Sequence, residues 1–175
     1  MYCFPIIINH RNLNHPELIE TKIFKAPDLI YQVAQWKYMG KKVAFTNGVF
    51  DIIHEGHIYS LSQAAKEADK LIVAVNSDAS VKRLKGESRP VNNERSRLLV
   101  LASMIQTDAV VLFEEDTPLE LIKSLLPDVL VKGGDYKPEQ IAGAAEVIAN
   151  GGSVVINPLI EGISTTRIID LLKKT

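Results

Sequence analysis

The sequence predicts an α/β fold, a doubly wound parallel sheet of five strands. Three observations predict it. Apolar runs of strand length at 42–46, 70–75, 109–113, 128–132 and 153–157 alternate with segments whose apolar residues return at helical spacing. Alternation of that regularity requires right-handed crossovers between parallel strands. Residues suited to an anion, namely glycines, histidines, hydroxyls and cations, gather directly after the strands, at the sheet edge where such folds bind ligands.

Residues 1–27 show no clear period and read as an N-terminal arm or short edge strand; His10 and His15 there suit solvated loop positions. Residues 28–175 read as the single domain that 175 residues lead one to expect. Asp28 can cap a helix with Leu29, Val33 and Trp36 on its apolar face and its end at Gly40. The first strand, 42–46, runs into Thr46-Asn47-Gly48-Val49-Phe50-Asp51-Ile52-Ile53-His54-Glu55-Gly56-His57, and the helix beyond carries Leu61, Ala64, Ala65 and Ala68 on one face.

The organising unit is therefore strand, glycine turn, helix. The start of such a helix presents free N–H groups and the positive end of its dipole to an anion. His54 and His57, three residues apart, fall on the same side, and Gly56 between them adds no side chain to obstruct a phosphate. A zinc site would want the i, i+4 spacing and a third ligand, and Cys3 is the only cysteine.

The second strand, 70–75, ends in Asn76-Ser77-Asp78, where capping and nucleotide contact are both open readings. From 82 to 97 six basic residues stand against Glu87 and Glu94, and Gly86 and Pro90 place the first half in a loop. That local excess suits a polyanion such as a triphosphate, with Lys85 and Arg89 as the functional candidates and Arg95 and Arg97 as structural ones.

Asn92 or Asn93 caps the next helix, with Leu98, Leu101, Ala102 and Ile105 on its face. After the strand 109–113, Thr117-Pro118-Leu119-Glu120 has the form of a capping box with proline at the first helical position, opening a helix through Leu126. The strand 128–132 ends in Gly133-Gly134-Asp135-Tyr136, a tight turn or a close backbone approach to a ligand. Lys132-Gly133-Gly134 lacks the earlier glycine of a P-loop, and no Gly-x-Gly-x-x-Gly fingerprint occurs.

Ile141, Ala144, Ala145 and Ile148 stripe a helix that closes at Gly151-Gly152, before the last strand, 153–157. Glu161-Gly162-Ile163-Ser164-Thr165-Thr166-Arg167 opens the final helix, with three hydroxyls in its first turn as a second anion site.

A hydrophobic content of 46% permits a substantial core, and a formal charge of −1 argues against nucleic acid or an anionic membrane as partner. No apolar stretch approaches the ~18 residues of a membrane span. The expectation is a soluble, cytoplasmic protein.

His54-Glu55-Gly56-His57 and Ile163-Ser164-Thr165-Thr166 resemble the paired motifs of the HxGH nucleotidyltransferase superfamily. Further matches resemble the adenylyltransferase domain of bacterial ADP-heptose synthases: Thr46 to Asp51, Val75 to Ser80, Lys82 to Gly86, Arg89 to Asn92 and Lys132 to Glu139. The resemblance covers about 28–174; residues 1–27 have no counterpart, and Arg167 departs from the pattern.

It implies a Rossmann-like nucleotidyltransferase fold that joins ATP to heptose 1-phosphate, for lipopolysaccharide core synthesis, without an attached sugar kinase. By this resemblance His54, His57 and Lys85 are catalytic. Thr46, Asn47, Gly48, Phe50, Gly56, Lys132, Gly133, Ser164, Thr165 and Thr166 hold the nucleotide, while Asp51, Asn76, Asp78, Arg89 and Asp135 face the sugar phosphate. Mg2+ would arrive with ATP on mostly water ligands, with no protein metal site, and the enzyme would be a homodimer.

The rival within the superfamily is a cytidylyltransferase acting on glycerol 3-phosphate or another alcohol phosphate. From another class comes a non-catalytic nucleotide-binding regulatory module. A receiver-type domain fits poorly, because Asn47-Gly48 stand where acidic residues are needed.

Overall fold

The computed structural model describes residues 15–134, 136–158 and 164–172. Its elements run α1 (His15–Glu20), β1 (Ile23–Phe24), α2 (Ala26–Tyr38), β2 (Val43–Gly48), α3 (Glu55–Lys66), β3 (Lys70–Asn76), α4 (Asp78–Lys85), α5 (Glu94–Ala102), β4 (Ala109–Phe113), α6 (Leu119–Leu125), β5 (Val129–Gly133), α7 (Ala144–Ala149), β6 (Ser153–Asn157) and α8 (Thr165–Leu172). A short 3₁₀ turn, Pro138–Gln140, precedes α7.

The sheet is parallel throughout, in the order β1-β4-β3-β2-β5-β6. It has six strands where five are expected, because Ile23 and Phe24 pair with Val110 and Val111 and add an edge strand.

Successive strand residues point to opposite faces, which sorts the core into two layers. Val43 and Phe45 of β2, with Ile72 and Ala74 of β3, pack against Leu29, Val33 and Trp36 of α2 and against Leu121, Ile122 and Val147 of α6 and α7. Ala44, Val73 and Val75 pack on the other side against Leu61 and Ala64 of α3 and Leu98 and Leu101 of α5. Chain order reverses direction across the sheet at β2, so the carboxyl ends of β2 and β5 bound the crevice in which open α/β sheets bind ligands. Among the described residues no helix is long and apolar enough to cross a membrane.

Several local expectations are corrected. Ala26 and Pro27 start α2 after its N-cap Lys25, so Asp28 sits in its first turn rather than capping it. The basic run at Lys82–Lys85 is the last turn of α4, capped by Ser77, and the loop begins only at Gly86. Pro118 is itself the N-cap of α6, and Thr117 makes no capping bond. Helix α5 stops at Ala102, which leaves Ile105 97% exposed. On α7, Ile148 lies on the exposed side.

Candidate active site

A cavity of about 360 Å³ opens at the carboxyl ends of β2 and β5. One wall is Thr46 to Phe50. A second is His54, Gly56, His57, Ser60 and Leu61 of α3 and its start. Lys132, Gly133 and Tyr136 form a third, and Ser164 and Thr165 close it. Two motifs more than a hundred residues apart in sequence thus share one space.

The His54 and His57 rings lie 3.9 Å apart between centroids, and Phe50 meets the His57 ring at 5.4 Å. Phe50 has a φ of 49°, an uncommon conformation for a bulky residue and one that recurs at ligand sites. A Cβ at Gly48 would sit 3.0 Å from its ring, and a Cβ at Gly56 would sit 3.0 Å from both Nδ1 and Cε1 of His54. Glycine at both positions is what lets these rings occupy their places.

Burial lowers the His54 pKa, partly offset by the Glu55 charge. Burial and the neighbouring His54 push the His57 pKa down to about 4. Both imidazoles are therefore neutral near pH 7, each with one N–H to donate. Their Nδ1 atoms are buried and have no hydrogen-bond partner among the described residues.

Across the cavity the Lys132 ammonium donates to Asn47 Oδ1 at 3.3 Å and lies 5.7 Å from the Tyr136 ring centroid. Burial lowers its pKa, and no carboxylate among the described residues pairs with it. Ser164 Oγ accepts from the Arg167 N–H and so caps α8, while the Thr165 hydroxyl donates to the Ile52 carbonyl at 3.2 Å. That bond fixes the start of α8 to the loop carrying His54.

Behind the first wall lies a charged lattice. The Asp51 carboxylate, wholly buried, accepts from Arg89 Nε at 2.6 Å and from the Val91 and Asn92 N–H groups. Burial alone would raise its pKa, but the two N–H donors and the guanidinium hold it below the ordinary value. Arg97, also buried, donates to the Val49 and Asn92 carbonyls and to Asp78 Oδ1 at 2.7 Å. These bonds flank Phe50 and secure the turn that carries its ring.

The cavity brings together His54, His57, Thr46, Asn47, Gly48, Phe50, Gly56, Lys132, Gly133, Ser164 and Thr165. It does not bring in Lys85, exposed at the end of α4, or Thr166, exposed on α8. Asn76 is turned inward to Ser80 Oγ; Asp78 and Arg89 are engaged by Arg97 and Asp51. Asp135 lies outside the described residues, as does Ile163.

Sequence reasoning missed Ser60, three residues beyond His57 and thus on its helix side, and Tyr136, the aromatic after the strand-end glycines. The described lining of this cavity contributes no carboxylate.

A Rossmann-like sheet with paired histidines at one helix start and hydroxyls at another defines a nucleotidyltransferase. The chain belongs to the cytidylyltransferase-like family, whose model matches residues 45–171. It is 56% identical over 152 residues to the Bifunctional protein HldE of Enterobacter sp. (strain 638), covering 87% of this chain and 32% of that protein. To the HldE of Nitrosococcus oceani it is 50% identical over 160 residues, 91% of this chain and 34% of that one. The chain thus spans about a third of the length of these relatives.

Among solved structures, a lipopolysaccharide core biosynthesis protein from Thermoplasma volcanium superposes with a TM-score of 0.57 at 28% identity, over 69% of this chain and 98% of that one. The pantoate-beta-alanine ligase of Francisella tularensis, at 14% identity, shares the fold with a TM-score of 0.55, over 86% of this chain and 76% of that one.

Proposed function

We propose that this nucleotidyltransferase moves AMP from ATP to D-glycero-D-manno-heptose 1-phosphate, giving ADP-heptose and pyrophosphate for the lipopolysaccharide core. The observation that carries it is the single cavity in which His54, His57, Lys132, Ser164 and Thr165 converge. Support for the substrate comes from the motifs quoted above, from the HldE relatives, and from the lipopolysaccharide role named for the Thermoplasma protein.

A sugar phosphate oxygen attacks the α-phosphorus of ATP. The bond to the β-phosphate oxygen breaks, and pyrophosphate leaves with the electron pair. The attacking oxygen is already ionised, so no base is needed, and the chain's work is positioning and charge stabilisation. The neutral imidazoles donate N–H bonds to phosphate oxygens, Lys132 adds positive charge, and the starts of α3 and α8 add their dipoles. Mg2+ accompanies the triphosphate, and the working species is a homodimer.

The family's description favours a second reading, a cytidylyltransferase acting on an alcohol phosphate. Pyrophosphate release is measured with ATP or CTP against a panel of sugar 1-phosphates and glycerol 3-phosphate. Turnover with ATP and heptose 1-phosphate is expected. A preference for CTP ends the adenylyl reading, and ATP binding without turnover on any acceptor points to a regulatory module.

A further inference from the structure

The outward face of α2 carries a stripe that the core does not use. Pro27, Tyr31, Ala34 and Tyr38 recur at the alternating spacing that keeps residues on one side of a helix, and each is exposed. Tyr31 is 74% exposed and Tyr38 94%, and Ile30 and Met39 stand out beside them. Leu29, Val33 and Trp36 on the opposite side fill the core, so α2 is apolar on two faces and the fold covers one.

We infer that the uncovered face pairs antiparallel with α2 of a second copy of this chain, about a twofold axis at Ala34 and Gln35. This rests on the homodimer of the proposed function and names the surface that makes it.

The stripe is symmetric in the way such an axis requires. Tyr31 and Tyr38 stand equally far to either side of the step from Ala34 to Gln35, so reversing the helix sets Tyr31 of each copy against Tyr38 of the other. Two aromatic pairs then flank the axis, each able to stack or meet edge to face. Ala34 between them adds only a methyl group and lets the two backbones approach. Gln35, exposed beside it, carries both donors and an acceptor, so its amide can bond the same amide of the other copy.

Charge favours the same arrangement. Asp28, exposed in the first turn, is the one acidic residue of α2, and among the described residues it has no ion-pair partner. Past the other end Lys41 and Lys42 both lie near the single carboxylate of Asp69, which leaves that end positive. Antiparallel pairing brings the acidic start of each helix to the basic end of the other and opposes the two helix dipoles. Lys25, the N-cap, falls about a third of a turn off the stripe. No lysine or arginine lies within the stripe, so an anionic membrane finds nothing to hold there. None of the described cavity lining belongs to α2, and pairing leaves both cavities open.

The test is the oligomeric state of the full chain by sedimentation equilibrium, for wild type, Tyr31→Glu/Tyr38→Glu, Asp28→Lys and Ile105→Glu, the last an exposed apolar residue away from α2. Wild type should be a dimer. The double variant should dissociate at least about 100-fold more readily and Asp28→Lys at least about threefold, while Ile105→Glu matches wild type. Affinity for a non-hydrolysable ATP analogue within about twofold of wild type reports that each variant is folded. A double variant that dimerises as tightly as wild type overturns the α2 pairing and leaves the homodimer standing on another surface, as does loss of the dimer in Ile105→Glu alone. A wild type that stays monomeric at about 100 μM overturns both, and the stripe then belongs to a different partner.

Discussion

His57 touches Phe50 on one side and His54 on the other, and its place explains both its chemistry and its cost. If it donates an N–H to the phosphates as proposed, His57→Ala should lower turnover about 10²- to 10³-fold, as measured by pyrophosphate release. A loss under about threefold in a folded variant would remove it from the mechanism.

Its titration acts on stability as well. The folded pKa is depressed to about 4 from the ordinary 6.5, so between those values the unfolded chain binds the proton and the folded chain does not. Stability therefore falls as the pH drops from about 6.5 toward 4, by up to about 3 kcal/mol from this group, less what solvent screening of its exposed part removes. Urea unfolding at pH 7 and pH 4.5 should show a smaller fall for His57→Gln than for wild type. Gly56→Ala should push the His54 ring aside and lower turnover about tenfold or more while the melting temperature moves little.

At the residue scale the motif histidines, the strand-end glycines and Lys132 were legible, because each stands next to a secondary-structure boundary visible in the pattern. The partners of Arg89 and Arg97 were not. Asp51 lies 38 residues before Arg89 and Asp78 lies 19 before Arg97, and no periodicity reports which buried charges meet across such separations.

Among the elements, the five long strands and most of the helices between them follow from apolar period, α4 excepted. The helix starts were less readable, since Pro27 and Pro118 each fit several positions of a first turn and only backbone geometry chooses among them. Gly86 drew the loop too far upstream, although Ser77 caps α4 and Lys82 to Lys85 are good helix formers.

The link between α6 and α7 shows how tightly elements set one another. Gly143 has a φ of +85°, and a Cβ there would lie 2.6 Å from Ile122 Cγ2 in the core. Gly143→Ala should cost roughly 1 to 3 kcal/mol, read as a lower urea midpoint with an unchanged slope.

On the scale of the whole molecule, β1 completes the sheet with two residues, too few for any period to reveal. It covers β4, and Ile19 and Ile23 pack onto the second core layer. A chain lacking residues 1–24 should melt several degrees lower and self-associate through the bared β4 edge, by light scattering, yet still bind an ATP analogue, because the cavity lies across the sheet at β2 and β5.

The bond from Thr165 to the Ile52 carbonyl spans 113 residues of sequence. During synthesis the sheet and its early helices can leave the ribosome and settle first. The cavity shared by the two motifs is finished only when α8 docks, so on the proposed function a polypeptide that has not yet placed that helix stays catalytically silent, however well its core has formed.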